Sequence, residues 1–156
     1  MAQDMERELQ SKDSPRAVWI SDLSTDLCKF AHKLSSRVTG NYAVHTHNFY
    51  EMIYILSGEV DFYIAGHAYP IENDTLLTFP PGVPHGVLIR SSVPYERYTI
   101  HFQADCLSME RRMHLLDVMP RDILGIARLE DGESMIWKNM RQSGFLQCLE
   151  SLEAIS

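Results

Sequence analysis

At 156 residues the chain has the length of one domain, and its 45% apolar composition is enough for one core. A net charge of −7 and a pI near 5.4 have the wrong sign for a module that tracks phosphates, so these residues alone are not expected to grip DNA. No apolar run is longer than the five residues Met52 to Leu56, far short of a helical membrane span, and the polar start has no signal-peptide core; a cytoplasmic location without membrane contact is expected. Cys28, Cys106 and Cys148 lie far apart without a C-x-x-C pair, which suggests reduced thiols rather than disulfides or a cysteine zinc site.

Residues 1–16 are mostly polar, with Pro15 after Asp13 and Ser14, and read as an arm that orders only if something docks on it. Acids and bases balance over residues 1–37, whereas residues 38–89 hold five acids and neither lysine nor arginine, so the middle is a distinct unit. It is also where aromatics gather: 11 of 15 fall between Tyr42 and Phe102, among β-branched residues broken by Gly, Pro and Asn. That texture predicts strands over 42–47, 49–56, 60–65, 68–71, 75–79, 86–90 and 95–102. Turn residues join them at Ser57-Gly58-Glu59, Ala65-Gly66-His67, Glu72-Asn73-Asp74 and Pro80-Pro81-Gly82. Seven short strands at such spacing predict a mainly β sandwich or small barrel.

After Phe102 the period changes. Cys106, Met109, Met113 and Leu116 lie on one helical face, predicting a helix from near Asp105 that Pro120 stops. Met135, Ile136 and Met140 suggest a second helix, and Phe145, Cys148, Leu149, Leu152 and Ile155 an amphipathic last one. No glycine, proline or basic residue ends that last helix, so the stretch reads as cut before something further. The expected organisation is an arm (1–16), a barrel (17–104) and a helical segment (105–156).

The chemistry concentrates in His45-Thr46-His47-Asn48-Phe49-Tyr50-Glu51 and in Pro80-Pro81-Gly82-Val83-Pro84-His85. In extended chain, residues 45, 47 and 51 share one face, and His85 is expected to enter from across the sandwich. Three imidazoles and one carboxylate suit a divalent transition metal such as zinc, nickel, iron or manganese, with coordination positions left open. The 52 residues around them offer no cation to neutralise a buried Glu51, which a metal would do; Arg90 or Arg97 from outside the span, or protonation, would serve as well.

The pattern H-x-H-x(3)-E-x(6)-G, followed by P-x-G-x-x-H, resembles the two-part motif of the cupins, which are jelly-roll β-barrels. Gly40 sits one residue closer than the usual opening glycine, Asp74 stands where the second half usually opens with glycine, and Ile89 where it usually ends with asparagine. The fuller run from His45 through Met52-Ile53-Tyr54-Ile55-Leu56-Ser57-Gly58-Glu59 to Asn73-Asp74-Thr75 and His85 resembles the N-terminal sensor domain of AraC-type transcription regulators, over residues 40 to 102. The resemblance implies a cupin jelly roll followed by two or three C-terminal helices. It implies a small-molecule effector, by default a sugar, in the barrel; a homodimer through those helices; and DNA binding only by a helix-turn-helix domain absent from this chain. It places metal ligation, where it occurs, on His45, His47, Glu51 and His85, which otherwise line the pocket with Trp19, Tyr54 and Phe62. In this reading the domain is not an enzyme. A small metal-dependent cupin enzyme, a dioxygenase or isomerase, is the alternative from another class.

Blander readings stand beside these. Aromatics such as Trp19, Tyr54, Phe62 and Phe79 are more often packing than pocket lining, His67 in its turn is more often a solvated residue than a ligand, and His101 points either into or out of the barrel. Arg111-Arg112 interleave with Glu110 and Asp117 as a solvated face rather than a nucleic-acid patch. The stripe on the last helix would cover either the domain's own sheet or a second copy, the latter being favoured.

Overall fold

An apolar run as continuous as Met52 to Leu56 has no face for water, and it lies in a strand covered on both sides. The computed structural model describes residues 17–35, 39–90, 92–103, 105, 107–111 and 136–156. Among them are strands β1 (Ala17–Ser24), β2 (Cys28–Ser35), β3 (Thr39–His45), β4 (Tyr50–Ser57), β5 (Val60–Ile64), β6 (His67–Ile71), β7 (Thr75–Phe79), β8 (His85–Arg90), β9 (Glu96–Phe102) and β10 (Ile136–Trp137), then a 3-10 turn Met140–Ser143 and helix α1 (Phe145–Glu153). The strands pair antiparallel into a six-stranded sheet, β1-β2-β9-β4-β7-β10, and a four-stranded sheet, β3-β8-β5-β6. The chain is thus mainly β, a two-sheet jelly roll with C-terminal helical structure.

Between the sheets lie Ile53, Ile55, Val60, Phe62, Ile64, Leu77, Phe79 and Val87. The alternate residues of the large sheet, Phe30, Tyr54, Leu76 and Tyr98, face outward and are covered by α1 through Leu149, Phe145, Leu146 and Leu152. The stripe on α1 therefore packs on the chain's own sheet, not on a second copy, while Cys148 and Ile155 remain exposed. At its closing end, Glu153 accepts hydrogen bonds from His32 (2.6 Å), Tyr98 (2.6 Å) and Ser21 (3.0 Å).

Strands β1 and β2 are absent from the sequence reading. In β2 the apolar residues are too few to stand out, because His32 and Lys33 each occupy a face that another element covers. The helix suggested by Met135, Ile136 and Met140 is corrected: Ile136 and Trp137 pair with Leu77 and Leu76, and their side chains go to opposite faces, Ile136 to the inter-sheet core and Trp137 beneath α1. Asn139, at φ 58°, ends the strand, and Met140 lies in the 3-10 turn. Residues 109–111 are helical, with Ser108 Oγ accepting the Arg111 amide at 3.3 Å as an N-cap does. The arm 1–16, Cys106, Arg112, Met113, Leu116, Asp117, Pro120 and Met135 lie outside the described residues.

Two motif positions have local physical reasons. Asp74 holds the left-handed conformation, φ 58°, that glycine usually supplies there, and uses its side chain besides: Oδ1 accepts from Tyr54 OH (3.0 Å) and Oδ2 from Arg141 (2.9 Å). Gly58, in the β4–β5 turn, has φ +106°, and a Cβ there would meet Tyr95 Cα at 3.0 Å. Gly58→Ala is expected to cost about 1–3 kcal/mol in denaturant unfolding, from left-handed strain and from displacing Tyr95; an unchanged midpoint would refute the close approach.

Candidate metal and ligand site

The four motif residues converge, although not by the route that strand parity suggests. β3 ends at His45 and β4 begins at Tyr50, so His47 lies in the connection that carries the chain from the small sheet to the large one. His85 does not face His45 across the sandwich; the two are register partners on neighbouring strands of the same sheet. Glu51 comes from the opposite sheet, beside its own register partner His101. One ligand atom each from His45, His47, Glu51 and His85 lies within 4.8 Å of all the others.

The imidazoles are oriented by backbone. Their Nδ1–H groups donate to the carbonyls of Ala43 (His45, 3.0 Å), Phe49 (His47, 2.8 Å) and Val83 (His85, 2.8 Å), which turns the Nε2 atoms toward the cluster. Glu51, 6% exposed, receives His85 (2.9 Å) and His47 (3.1 Å) on Oε2 and His101 (2.6 Å) on Oε1. A His47 ring that donates Nδ1–H to the Phe49 carbonyl and Nε2–H to Glu51 carries both protons, which is the form its partners favour. Burial opposes ionisation of Glu51, but hydrogen bonds from His101, His47 and His85 outweigh it and hold the carboxyl well below its ordinary value. Burial likewise disfavours a charged His47, yet the Glu51 hydrogen bond and charge leave its imidazole raised. His45 is open to solvent on one side, and on the other the packed wall, followed by the charges of His85 and His47, holds it below the ordinary value.

A family model for AraC-like ligand binding domains matches residues 36–117, more than half of the chain. The chain belongs to that family. Solved structures agree on the fold. A cupin superfamily protein from Desulfitobacterium hafniense superposes with a TM-score of 0.50 at 10% identity, covering 60% of this chain and 83% of that one. A cupin domain from Schizosaccharomyces pombe gives 0.51 at 14% identity, over 66% and 78%. An uncharacterised conserved protein with a double-stranded β-helix domain from Klebsiella pneumoniae gives 0.50 at 17%, over 59% and 79%. No curated protein sequence matches the chain.

In this AraC-like barrel a cavity of about 240 Å³ opens beside the cluster, bounded by His45, Glu51, His85 and His101 at one end. Phe62 lines it. Tyr54 does not: it has the parity of Met52 and Leu56 and faces outward beneath Phe145, so its assignment to the pocket is corrected. Trp19 is 55% exposed on the edge strand β1, outside the cavity wall, with the Lys33 ammonium 4.5 Å above its ring. Sequence reasoning left His101 undecided and assigned no role to Lys33, Tyr42 or Tyr95, all of which line the cavity. Parity in β9 groups Arg97, Thr99 and His101 on one face against Tyr98, Ile100 and Phe102 on the other, but does not say which face is turned inward.

The donor set fits a metal. His45, His47 and His85 would hold a divalent transition ion through Nε2 and Glu51 through a carboxylate oxygen, and such an ion competes with protons for the same ring nitrogens. Zn²⁺ or Ni²⁺ is therefore expected to raise the thermal midpoint, at 100 times Kd by the equivalent of about 2.7 kcal/mol. The shift should grow from about pH 5.5 to about pH 7.5 as ring protons leave more readily. Thermal melts with metal analysis check this; a content near zero, unchanged in a His47→Ala/His85→Ala variant, would remove the metal from the site.

Proposed function

We propose that the chain is the effector-sensing and dimerisation domain of an AraC-type transcription regulator, a cytoplasmic protein in which a small molecule in the barrel governs DNA binding by a separate domain. The observation that carries this reading is how strands β2 and β9 serve two sites. Their inward residues Lys33, Arg97 and Thr99 line the cavity. Their outward neighbours His32, Glu96 and Tyr98 hold the C-terminal helix: His32 bridges Glu96 (2.8 Å) and Glu153 (2.6 Å), and Tyr98 donates to Glu153. A ligand that shifts these strands by a fraction of an ångström is felt directly at α1. The ligand must bind one arrangement of the helical segment better than the other, since equal affinity shifts nothing. Because Leu149 is taken up by the chain's own sheet, a second copy has the exposed flank with Cys148 and Ile155 to meet.

A divalent ion in the cluster would offer an open coordination position to a ligand oxygen. The four protein ligands would hold it and His101 would fix the Glu51 carboxylate from the side. No helix among the described residues is long and apolar enough to cross a membrane. The test is the reading frame after the codon for Ser156, followed by reporter transcription. Roughly 100 further basic residues reading as two helix-turn-helix units, with effector-dependent output, support the proposal. A stop codon, together with metal-dependent turnover, would overturn it in favour of a cupin dioxygenase or isomerase, the second reading that the cluster's opening onto the cavity favours.

A further inference from the structure

The inner wall of the barrel carries more positive charge than it neutralises. Arg97 is 6% exposed, and the one hydrogen bond of its guanidinium among the described residues is long, Nη1 to the Tyr95 carbonyl at 3.4 Å. Its guanidinium otherwise lies over the rings of Tyr95 (4.4 Å) and Tyr42 (5.0 Å). Lys33 faces the same cavity, its ammonium against Trp19. Burial, and after it the neighbouring Arg97, depress the Lys33 amine. Neither cation is in ion-pair contact with a carboxylate among the described residues, and Glu51 has both oxygens committed to histidines. The buried hydroxyls of Tyr42 and Tyr95, which line the same cavity, have no hydrogen-bond partner among the described residues.

A buried guanidinium without an anion and two buried hydroxyls without acceptors are costly, and they are rare in native structures unless something outside the chain completes them. What completes this set is an acceptor with negative charge: a carboxylate matches the planar fork of arginine, with the lysine and a hydroxyl on its remaining lone pairs. Phe62 and Val87 on the facing sheet, and Ile53 beside Thr99 on the sheet of Arg97, give the cavity an apolar side, which calls for an apolar body behind the carboxylate. A volume of about 240 Å³ lies below that of drug-sized pockets and limits the body to one small ring or a short branched chain.

We propose that the barrel binds a small organic monocarboxylate, its carboxylate on Arg97 and Lys33 and its apolar body against Ile53, Phe62 and Val87. This rests on the reading of the barrel as an effector pocket and names the chemical class of the effector, an acid rather than a neutral sugar.

Isothermal titration of the metal-free chain with benzoate, phenylacetate and isovalerate, each against its uncharged amide, tests it. At least one acid should bind about 10-fold or more tightly than its amide, the worth of a charge-assisted hydrogen bond. Arg97→Gln should erase that preference without weakening the amide, Arg97→Lys should keep part of it, and Lys33→Gln should reduce it. Tyr95→Phe, which deletes a hydroxyl with no partner, should leave the thermal midpoint unchanged or higher and still weaken the acid. Should Arg97→Gln not fold, Lys33→Gln at a half-buried position and Arg97→Lys decide. The inference fails if no acid outbinds its amide, or if the acid preference survives both Arg97→Lys and Lys33→Gln undiminished. Because binding is read on this chain without DNA, the two readings separate. Acid binding with no change in reporter output leaves the inference standing and removes sensing. Neutral sugars that switch the reporter, while acids do not bind, do the reverse.

Discussion

Glu51→Ala is expected to destabilise the metal-free chain by about 3–5 kcal/mol near pH 6, the cost of removing one partner from a buried charged network. Its carboxylate is the shared acceptor of His47, His85 and His101 in a cavity with no second carboxylate among the described side chains that line it. The size of the loss should depend on pH. Glu51 is held well below its ordinary 4.5, so its contribution is complete above that value and is lost as pH falls through the depressed pKa. His47 is raised above 6.5, so its contribution is complete below 6.5 and is lost as pH climbs through the raised value. The difference between wild type and variant should therefore be largest between 4.5 and 6.5 and narrow on both sides. Urea unfolding across that range measures it. A loss below about 1 kcal/mol, the level of an exposed ion pair, would mean that the cluster is not coupled. Glu51→Gln keeps the shape and one acceptor oxygen and should fall between. Neither variant should keep the metal-dependent rise in midpoint.

Leu149→Ala is expected to cost about 2–5 kcal/mol. Leu149 is 1% exposed, at the centre of the seam where α1 meets Phe30, Tyr54, Leu76 and Tyr98. A nine-residue helix has little stability of its own, so this packing and the Glu153 contacts are what hold it. The loss should show as faster amide exchange in α1 before the barrel strands open, because the inter-sheet core does not include Leu149. A change under about 1 kcal/mol would mean that α1 rests on the sheet without depending on it. Substituting Leu149 with Glu would bury a charge in this seam and so is no test of self-association; substitutions at the exposed Cys148 are.

The sequence was sufficient for the strands over residues 42–102 and for the identity of the cluster. Alternation over residues 42–102, with glycine, proline and asparagine between the runs, specifies short strands because side-chain period and turn chemistry are local properties. The spacing of His45, His47, Glu51 and His85 marked four residues that the fold brings within 4.8 Å. Apart from Tyr54, whose parity opposite to Glu51 already set it on the outer face, the failures were nonlocal. His47 could not be placed in a connection, nor His85 beside His45, because that depends on which strands pair. Ile136 and Trp137 form a strand because β7 offers them an edge, and residues 17–35 form two strands because β9 does. The faces of β2 and β9 were likewise undecidable. A strand that alternates Arg97, Thr99 and His101 with Tyr98, Ile100 and Phe102 reads as polar side to water, and here it is inverted because α1 covers the apolar side. Period two tells a strand that it has two faces; only the element packed against one of them decides which face becomes the wall of a cavity.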